Sequence, residues 1–310
     1  MSNKMIEAAE PHSSAPSPEA TRTLRLRAIA ALVLTALLWS SSGVLIKLIN
    51  WNPIAIAGAR SAISTIVLLL YLRRPKFTWS ASQLLAALFY ALMMFAFVAA
   101  NKLTTSANAI FLQYLAPVFV AVLGIWMLGE KPSRTDWLII AVVIGGMALF
   151  FVDRISLTAQ WGNVLAVLAG VFMAFFFIFM RRQKDGSPLE SIVLGHAIAA
   201  IAATPFYFAD GPRPELTGWI AIFALGAVQV GLSSITLSFA IRHLTALGTS
   251  IISLLEPVLN PVWVFLFLGE SPSIYAILGG TVILAMVSLR SVLAVRRAQS
   301  GALAEVSGRR

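Results

Sequence analysis

The chain has 310 residues, 59% hydrophobic and only 12% charged, with a formal net charge of +10 and no cysteine. Soluble domains carry roughly 45–50% apolar and about 25% charged residues, so one aqueous core could not bury this much apolar surface; the bilayer is the fitting solvent. The missing thiols exclude disulfide, iron–sulfur and thiolate–metal chemistry, and the basic residues fall at ends and loops, a membrane-orientation pattern rather than a nucleic-acid footprint.

Taken in chain order, residues 1–21 are rich in Pro, Ser, Ala and Glu and lack periodicity. With Arg22, Arg25 and Arg27 they make a basic tail over 1–27, predicted to be disordered. Apolar runs follow at 28–49, 53–72, 81–100, 105–128, 136–152, 162–180, 189–208, 218–240, 245–268 and 274–291. Most are long enough to cross ~30 Å of hydrocarbon at 1.5 Å per residue. The first run is too long for a signal-peptide core, and nine more follow it. Residues 292–310 are read as a C-terminal tail. The expectation is an all-α polytopic membrane protein with ten transmembrane helices.

Orientation follows from charge. With the N-terminus in the cytoplasm, 18 Lys and Arg fall on the inner side and only Lys47, Lys102, Arg154 and Arg213 on the outer side. That asymmetry predicts both termini in the cytoplasm. The loops are too short for a soluble catalytic or ligand-binding domain.

An internal repeat divides the chain. Leu128-Gly129-Glu130-Lys131-Pro132-Ser133 matches Leu268-Gly269-Glu270-Ser271-Pro272-Ser273 at an offset of 140. The same offset pairs Thr105 with Thr245, Leu115-Ala116-Pro117-Val118 with Leu255-Glu256-Pro257-Val258, and Leu149 with Leu289. A duplication of five spans each gives halves over 28–152 and 162–291. Because five is odd, the second half enters from the opposite side. Such inverted repeats support two states, one open to each face, around a site at the repeat interface.

With two five-span halves, Trp39-Ser40-Ser41-Ser42 in the first span, and a Pro-Val…Leu-Gly-Glu ending in spans 4 and 9, the chain resembles the EamA branch of the drug/metabolite transporter superfamily over about residues 28–291. Overall it looks most like bacterial aromatic amino-acid exporters of the YddG type. The resemblance implies a multi-pass protein of the inner (plasma) membrane that exports small metabolites or drugs. It also implies a central cavity lined by spans 3, 4, 8 and 9.

Several residues carry candidate chemistry. Pro117 and Pro257 lie near the middle of spans 4 and 9, and each removes the helical bond to the carbonyl four residues back, Gln113 and Ser253. The freed carbonyls meet substrate, water or a packed neighbour. Thr249, Ser253, Glu256 and Asn260 share one face of span 9. Glu256 is the one acidic residue well inside a span; it either contacts substrate or pairs with a buried base such as Arg60 or His196. Gln229, Ser233 and Thr236 form a similar stripe on span 8, for substrate or for hydrogen bonds between helices. Tyr90, Tyr114 and Trp39 are membrane-embedded aromatics suited to stacking on an aromatic or cationic solute, or to filling space. The expected substrate-binding set is therefore Trp39, Tyr90, Gln113, Tyr114, Gln229, Ser233, Ser253, Glu256 and Asn260, with Pro117 and Pro257 as helix breaks. Glu130 and Glu270 are read as shaping the short turns after spans 4 and 9, with gating or binding as the alternative, and Ser133-Arg134-Thr135-Asp136 as a capping box.

The competing class is an intramembrane enzyme acting on a lipid-linked substrate. It lacks paired membrane aspartates, an acidic cluster for magnesium and a zinc ligand set. No catalytic residue, metal or cofactor is expected. The expected partners are a small-molecule substrate and the lipid bilayer, without nucleic acid; oligomeric state is open, and a monomer is compatible.

Overall fold

The computed structural model describes residues 18–41, 45, 48–104, 106–150, 152, 160–208, 212–268 and 273–307. All regular elements among them are helical: α1 (Pro18–Ser40), α2 (Pro53–Leu72), α3 (Ala81–Leu103), α4 (Ser106–Gln113), α5 (Ala116–Leu128), α6 (Arg134–Phe150), α7 (Gln160–Arg182), α8 (Pro188–Ala202), α9 (Thr204–Tyr207), α10 (Leu216–Phe223), a π-helical stretch (Ala224–Leu232), α11 (Ser233–His243), α12 (Ala246–Ile252), α13 (Leu255–Leu268) and α14 (Ile274–Ser307). Six of the described helical stretches are long and apolar enough to cross a membrane, and three shorter ones are apolar.

The apolar residues lie outside as well as inside. Leu70, Trp126 and Ile201 are each more than 70% exposed, a surface that only hydrocarbon matches. The interior holds Phe176, Phe177, Leu237 and Ile251, packed among small residues such as Ala86, Ala116 and Ala174.

Helix edges differ from the hydropathy edges where charge is concerned. α1 starts at Pro18, inside the segment expected to be disordered, and α14 runs on to Ser307, through most of the expected C-terminal tail. Arginines end an apolar run but are good helix formers, and Arg25 Nη1 ties the two helices by donating to the Ala294 carbonyl at 2.9 Å. α1 also stops at Ser40, short of the expected end at 49, and residues 48–50 are not helical. Lys47, Arg154 and the second motif copy from Gly269 to Pro272 lie outside the described residues, as does the side chain of Asn260.

Contacts between the halves come in exchanged pairs. α3 runs along α7, and α11 along α1; α3 packs on α8, and the π stretch on α2; α4 and α5 pack on α7, and α12 and α13 on α1. The last helices of the halves, α6 and α14, pack on each other. There Gly146 faces Gly279, and a Cβ on it would lie 3.3 Å from the Gly279 carbonyl oxygen. The capping box is present: Ser133 Oγ accepts from the Asp136 N–H at 3.2 Å, and Asp136 accepts from the Ser133 N–H at 2.8 Å.

Candidate functional site

The helical segments that carry Pro117 and Pro257 are each interrupted beside the proline. α4 ends at Gln113 and α5 begins at Ala116, with Pro117 in its first turn. α12 ends at Ile252 and α13 begins at Leu255, with Pro257 likewise in the first turn. A first-turn N–H has no intrahelical acceptor, so proline costs little there. The Gln113 carbonyl lies against Gly170 of α7, whose missing side chain lets that helix approach. Ser253 is buried and donates back to the Thr249 carbonyl at 2.9 Å.

The two breaks are bridged. Tyr114, in the first, donates its hydroxyl hydrogen bond to the carboxylate of Glu256, in the first turn of α13. Arg60, from α2, interacts electrostatically with both Glu256 and Tyr90. Among the described residues its Nη2 meets only the Met94 sulfur, at 3.5 Å, and its buried Nε has no hydrogen-bond partner. Tyr90 and His196 share a hydrogen bond between the hydroxyl and Nε2, 3.1 Å, and Nδ1 of His196 shares another with Ser61 Oγ, 3.3 Å. The Tyr90 ring stands edge-on to His196 and 5.0 Å from Phe176. Tyr90, Tyr114 and Glu256 thus belong to one polar cluster with Arg60 and His196, built from both halves.

Trp39, Gln229 and Ser233 belong to a different one. Trp39 Nε1 donates to Ser233 Oγ at 2.8 Å, and the Gln229 side-chain amide donates to the Trp39 carbonyl at 3.4 Å. One turn along, Thr35 and Thr236 share a hydrogen bond of 2.7 Å. This seam joins α1 to the eighth span. Gln229 lies within the π stretch, and its buried Oε1 has no partner. Gln113 and Ser253 sit beside the breaks, and among the described residues their side chains hydrogen-bond to neither network; the Gln113 carbonyl faces Gly170 and Ser253 bonds back to Thr249.

At one end of the bundle Glu130 does more than shape a turn. Its carboxylate lies 3.3 Å from Arg181 Nε of α7 and accepts the Ala246 N–H of α12 at 3.1 Å. Arg181 also donates to the carbonyls of Ile241 and Arg242, at the end of α11. Burial lifts the Glu130 carboxyl above its ordinary range, outweighing Arg181 and the Ala246 N–H. Nearby, Asp136 pairs with Arg290 at 2.9 Å, both buried. A cavity of about 170 Å³ lies between Arg25, Thr245 and Arg290. It contains none of the expected substrate residues and lies apart from the Tyr114–Glu256 bridge. Among the described residues no group of three His, Asp or Glu is placed to hold a metal.

Two features of the interior depend on how the helices assemble. Arg60 carries no distinguishing motif and becomes part of the cluster only because α2 packs beside α8 and the π stretch. The π stretch itself has one faint signal, Gly226, whose position leaves room for no side chain against Ile63 and the Arg60 carbonyl.

An apolar-coated helical bundle with polar groups gathered at breaks in its interior is the build of a multi-pass membrane protein. The sequence model of the EamA-like transporter family matches residues 26–152 and, a second time, residues 160–292; the chain belongs to this family. An uncharacterized transporter of Archaeoglobus fulgidus is 24% identical over 83% of this chain and 94% of its own length. The pseudopaline exporter CntI of Pseudomonas aeruginosa is 28% identical over 72% of this chain and 81% of its own. The threonine/homoserine exporter RhtA of Salmonella typhimurium is 27% identical over 78% and 82%. A solved crystal structure shares the fold with a TM-score of 0.72 at 19% identity, covering 90% of this chain and 99% of its own.

Proposed function

We propose that this protein exports small amphipathic metabolites from the bacterial cytoplasm across the inner membrane, with aromatic or other hydrophobic amino acids as the foremost substrates and cationic drugs as a further class. Two inverted five-helix halves, ten transmembrane helices in all with both termini inside, alternate access to a central site. The bridge from Tyr114 to Glu256 carries this reading, because it joins the broken helix of one half to that of the other. The exchanged pairs of helix contacts and the two family matches support the twofold architecture. The relatives named as exporters support the direction of transport, and the threonine/homoserine exporter adds smaller amino acids to the panel. The rings of Tyr90 and Phe176 beside the cluster support an aromatic side chain.

Proteoliposomes containing the purified protein test this. Radiolabelled phenylalanine, threonine, homoserine and a cationic dye should cross faster than in protein-free vesicles, with and without a pH gradient. Movement of glutamate or a sugar phosphate without phenylalanine would reject the substrate class.

A further inference from the structure

Arginine stays protonated even in apolar surroundings, so a buried guanidinium must find acceptors. Arg60 lies in the eighth position of α2, inside the hydrocarbon length of the bundle. Of its donors, one meets a thioether sulfur, a weak acceptor, and another, Nε, is buried with no acceptor at all. Glu256 is near enough to interact electrostatically, yet the two form no direct ion pair within 4 Å; the carboxylate is turned to Tyr114 instead. A guanidinium and a carboxyl group therefore face the same interior from different helices without direct contact. Leaving the guanidinium so is unfavourable, and a packing role alone would avoid it by direct pairing.

We propose that Arg60 is the anion-binding residue of the central site and that the ligand is a zwitterionic α-amino acid, its carboxylate held by Arg60 and its ammonium by Glu256. The proposal rests on the transport reading for its location and narrows that reading to solutes bearing both charges. The planar guanidinium presents parallel donors that match a carboxylate two-for-two, which a lysine would not. The ammonium supplies donors to a carboxylate that already accepts from Tyr114. Tyr90 and Phe176 then border the solute's side chain. An amine without a carboxylate leaves Arg60 unsatisfied, and an acid without an amine leaves Glu256 so, which makes the pair selective through what each solute lacks.

Thermal stabilisation of the purified full-length protein reads this without requiring flux. Phenylalanine and threonine are titrated beside their decarboxylated amines, phenethylamine and 1-aminopropan-2-ol, and their deaminated acids, 3-phenylpropionate and 3-hydroxybutyrate. At least one amino acid should stabilise the protein at a concentration about tenfold or more below its amine and its acid. Arg60→Met should weaken binding of that amino acid about tenfold or more and leave its amine within about twofold; Arg60→Lys should fall between. Glu256→Gln should weaken the amino acid and the amine and spare the acid. Equal binding of amine and amino acid by the unaltered protein would overturn the proposal, as would binding of neither amino acid or unchanged affinity in Arg60→Met. Should Arg60→Met not fold, the solute series on the unaltered protein decides alone. Binding with this pattern but no flux in liposomes would reject the transport reading and leave the zwitterion site standing.

Discussion

Tyr114 and Glu256 touch across the molecule although 142 positions separate them: the hydroxyl at the break of one half is the donor to the carboxylate at the break of the other. Their repeat partners do not reproduce this contact, since the offset that relates the halves pairs Ala116 with Glu256. The bridge is therefore not repeated at the equivalent positions. Tyrosine brings a donor without a second charge, so the carboxylate gains a partner while its charge remains available to a cation.

Removing that donor isolates its contribution. Tyr114→Phe should lower stability by about 1.5–3 kcal/mol, the usual worth of a hydrogen bond to a charged group. Combined with Glu256→Ala, which removes the acceptor, the loss should be less than additive, because the two residues share one interaction. Thermal unfolding of the four proteins checks this; strict additivity would deny the coupling.

Glu256→Gln separates a structural carboxylate from a working one. The substituted protein should fold, since the amide still accepts from Tyr114. Flux per folded molecule should drop by about tenfold, the effect of losing roughly 1.4 kcal/mol of solute interaction. A stable variant with unaltered flux would make Glu256 a scaffold residue.

Glycine positions differ sharply in tolerance. A Cβ on Gly170 would sit 2.7 Å from the Gln113 carbonyl oxygen, which is backbone and cannot swing away. Gly170→Ala should cost about 1–3 kcal/mol. Gly124 and Gly145 have nothing within 4 Å, so alanine there should be neutral or stabilising by about 0.5–1 kcal/mol through helix propensity. Equal melting temperatures for all three variants would contradict the close packing of α7 on the first break.

Glu130 makes stability depend on pH in a direction opposite to most carboxylates. Burial raises its folded pKa above 4.5, with Arg181 and Arg290 the charged groups nearby that oppose the shift. A group so raised contributes stability that is fully present below the unfolded pKa and is lost as pH rises through the folded one. The melting temperature relative to Glu130→Gln should therefore decline from about pH 4 to neutrality. A difference that stays constant, or that grows with pH, would show that the ion pair outweighs desolvation.

Topology can be read with single cysteines, because the chain has none of its own. Ser187 is a poor position, being buried with its hydroxyl accepting from Gln83. Asp185 and Arg213 are exposed. Asp185→Cys should react with an impermeant thiol reagent only from the cytoplasmic side and Arg213→Cys only from outside. Labelling of both from one side would remove the odd number of spans per half.

Local chemistry was legible in the sequence and long-range assembly was not. Pro117 and Pro257 mark the two interruptions because proline acts on its own backbone. The second span runs Pro53–Leu72 as hydropathy alone predicts, bounded by a capping Asn52 and by Arg73. Hydropathy failed at α1 and α14, since it marks the edge of the hydrocarbon and a helix of arginines and alanines continues past it. The polar stripe of Gln229, Ser233 and Thr236 was visible, but its hydrogen-bonding to Trp39 and Thr35 depends on which helix lies opposite. The sequence offers Arg60 as a partner for Glu256; that it also lies beside Tyr90 requires three helices to be arranged first.

The π stretch from Ala224 to Leu232 is pinned at both ends. Ser64 of α2 donates to the Gly226 carbonyl at 2.7 Å, and Trp39 of α1 donates to Ser233. Each π turn holds one more residue than an α turn closed by the ordinary bond. Passing that surplus residue along the helix turns one end about its axis relative to the other while the backbone stays hydrogen-bonded. Between its two anchors the π stretch therefore sets the helical faces before and after it out of α-helical register, with Gln229 on the widened turns.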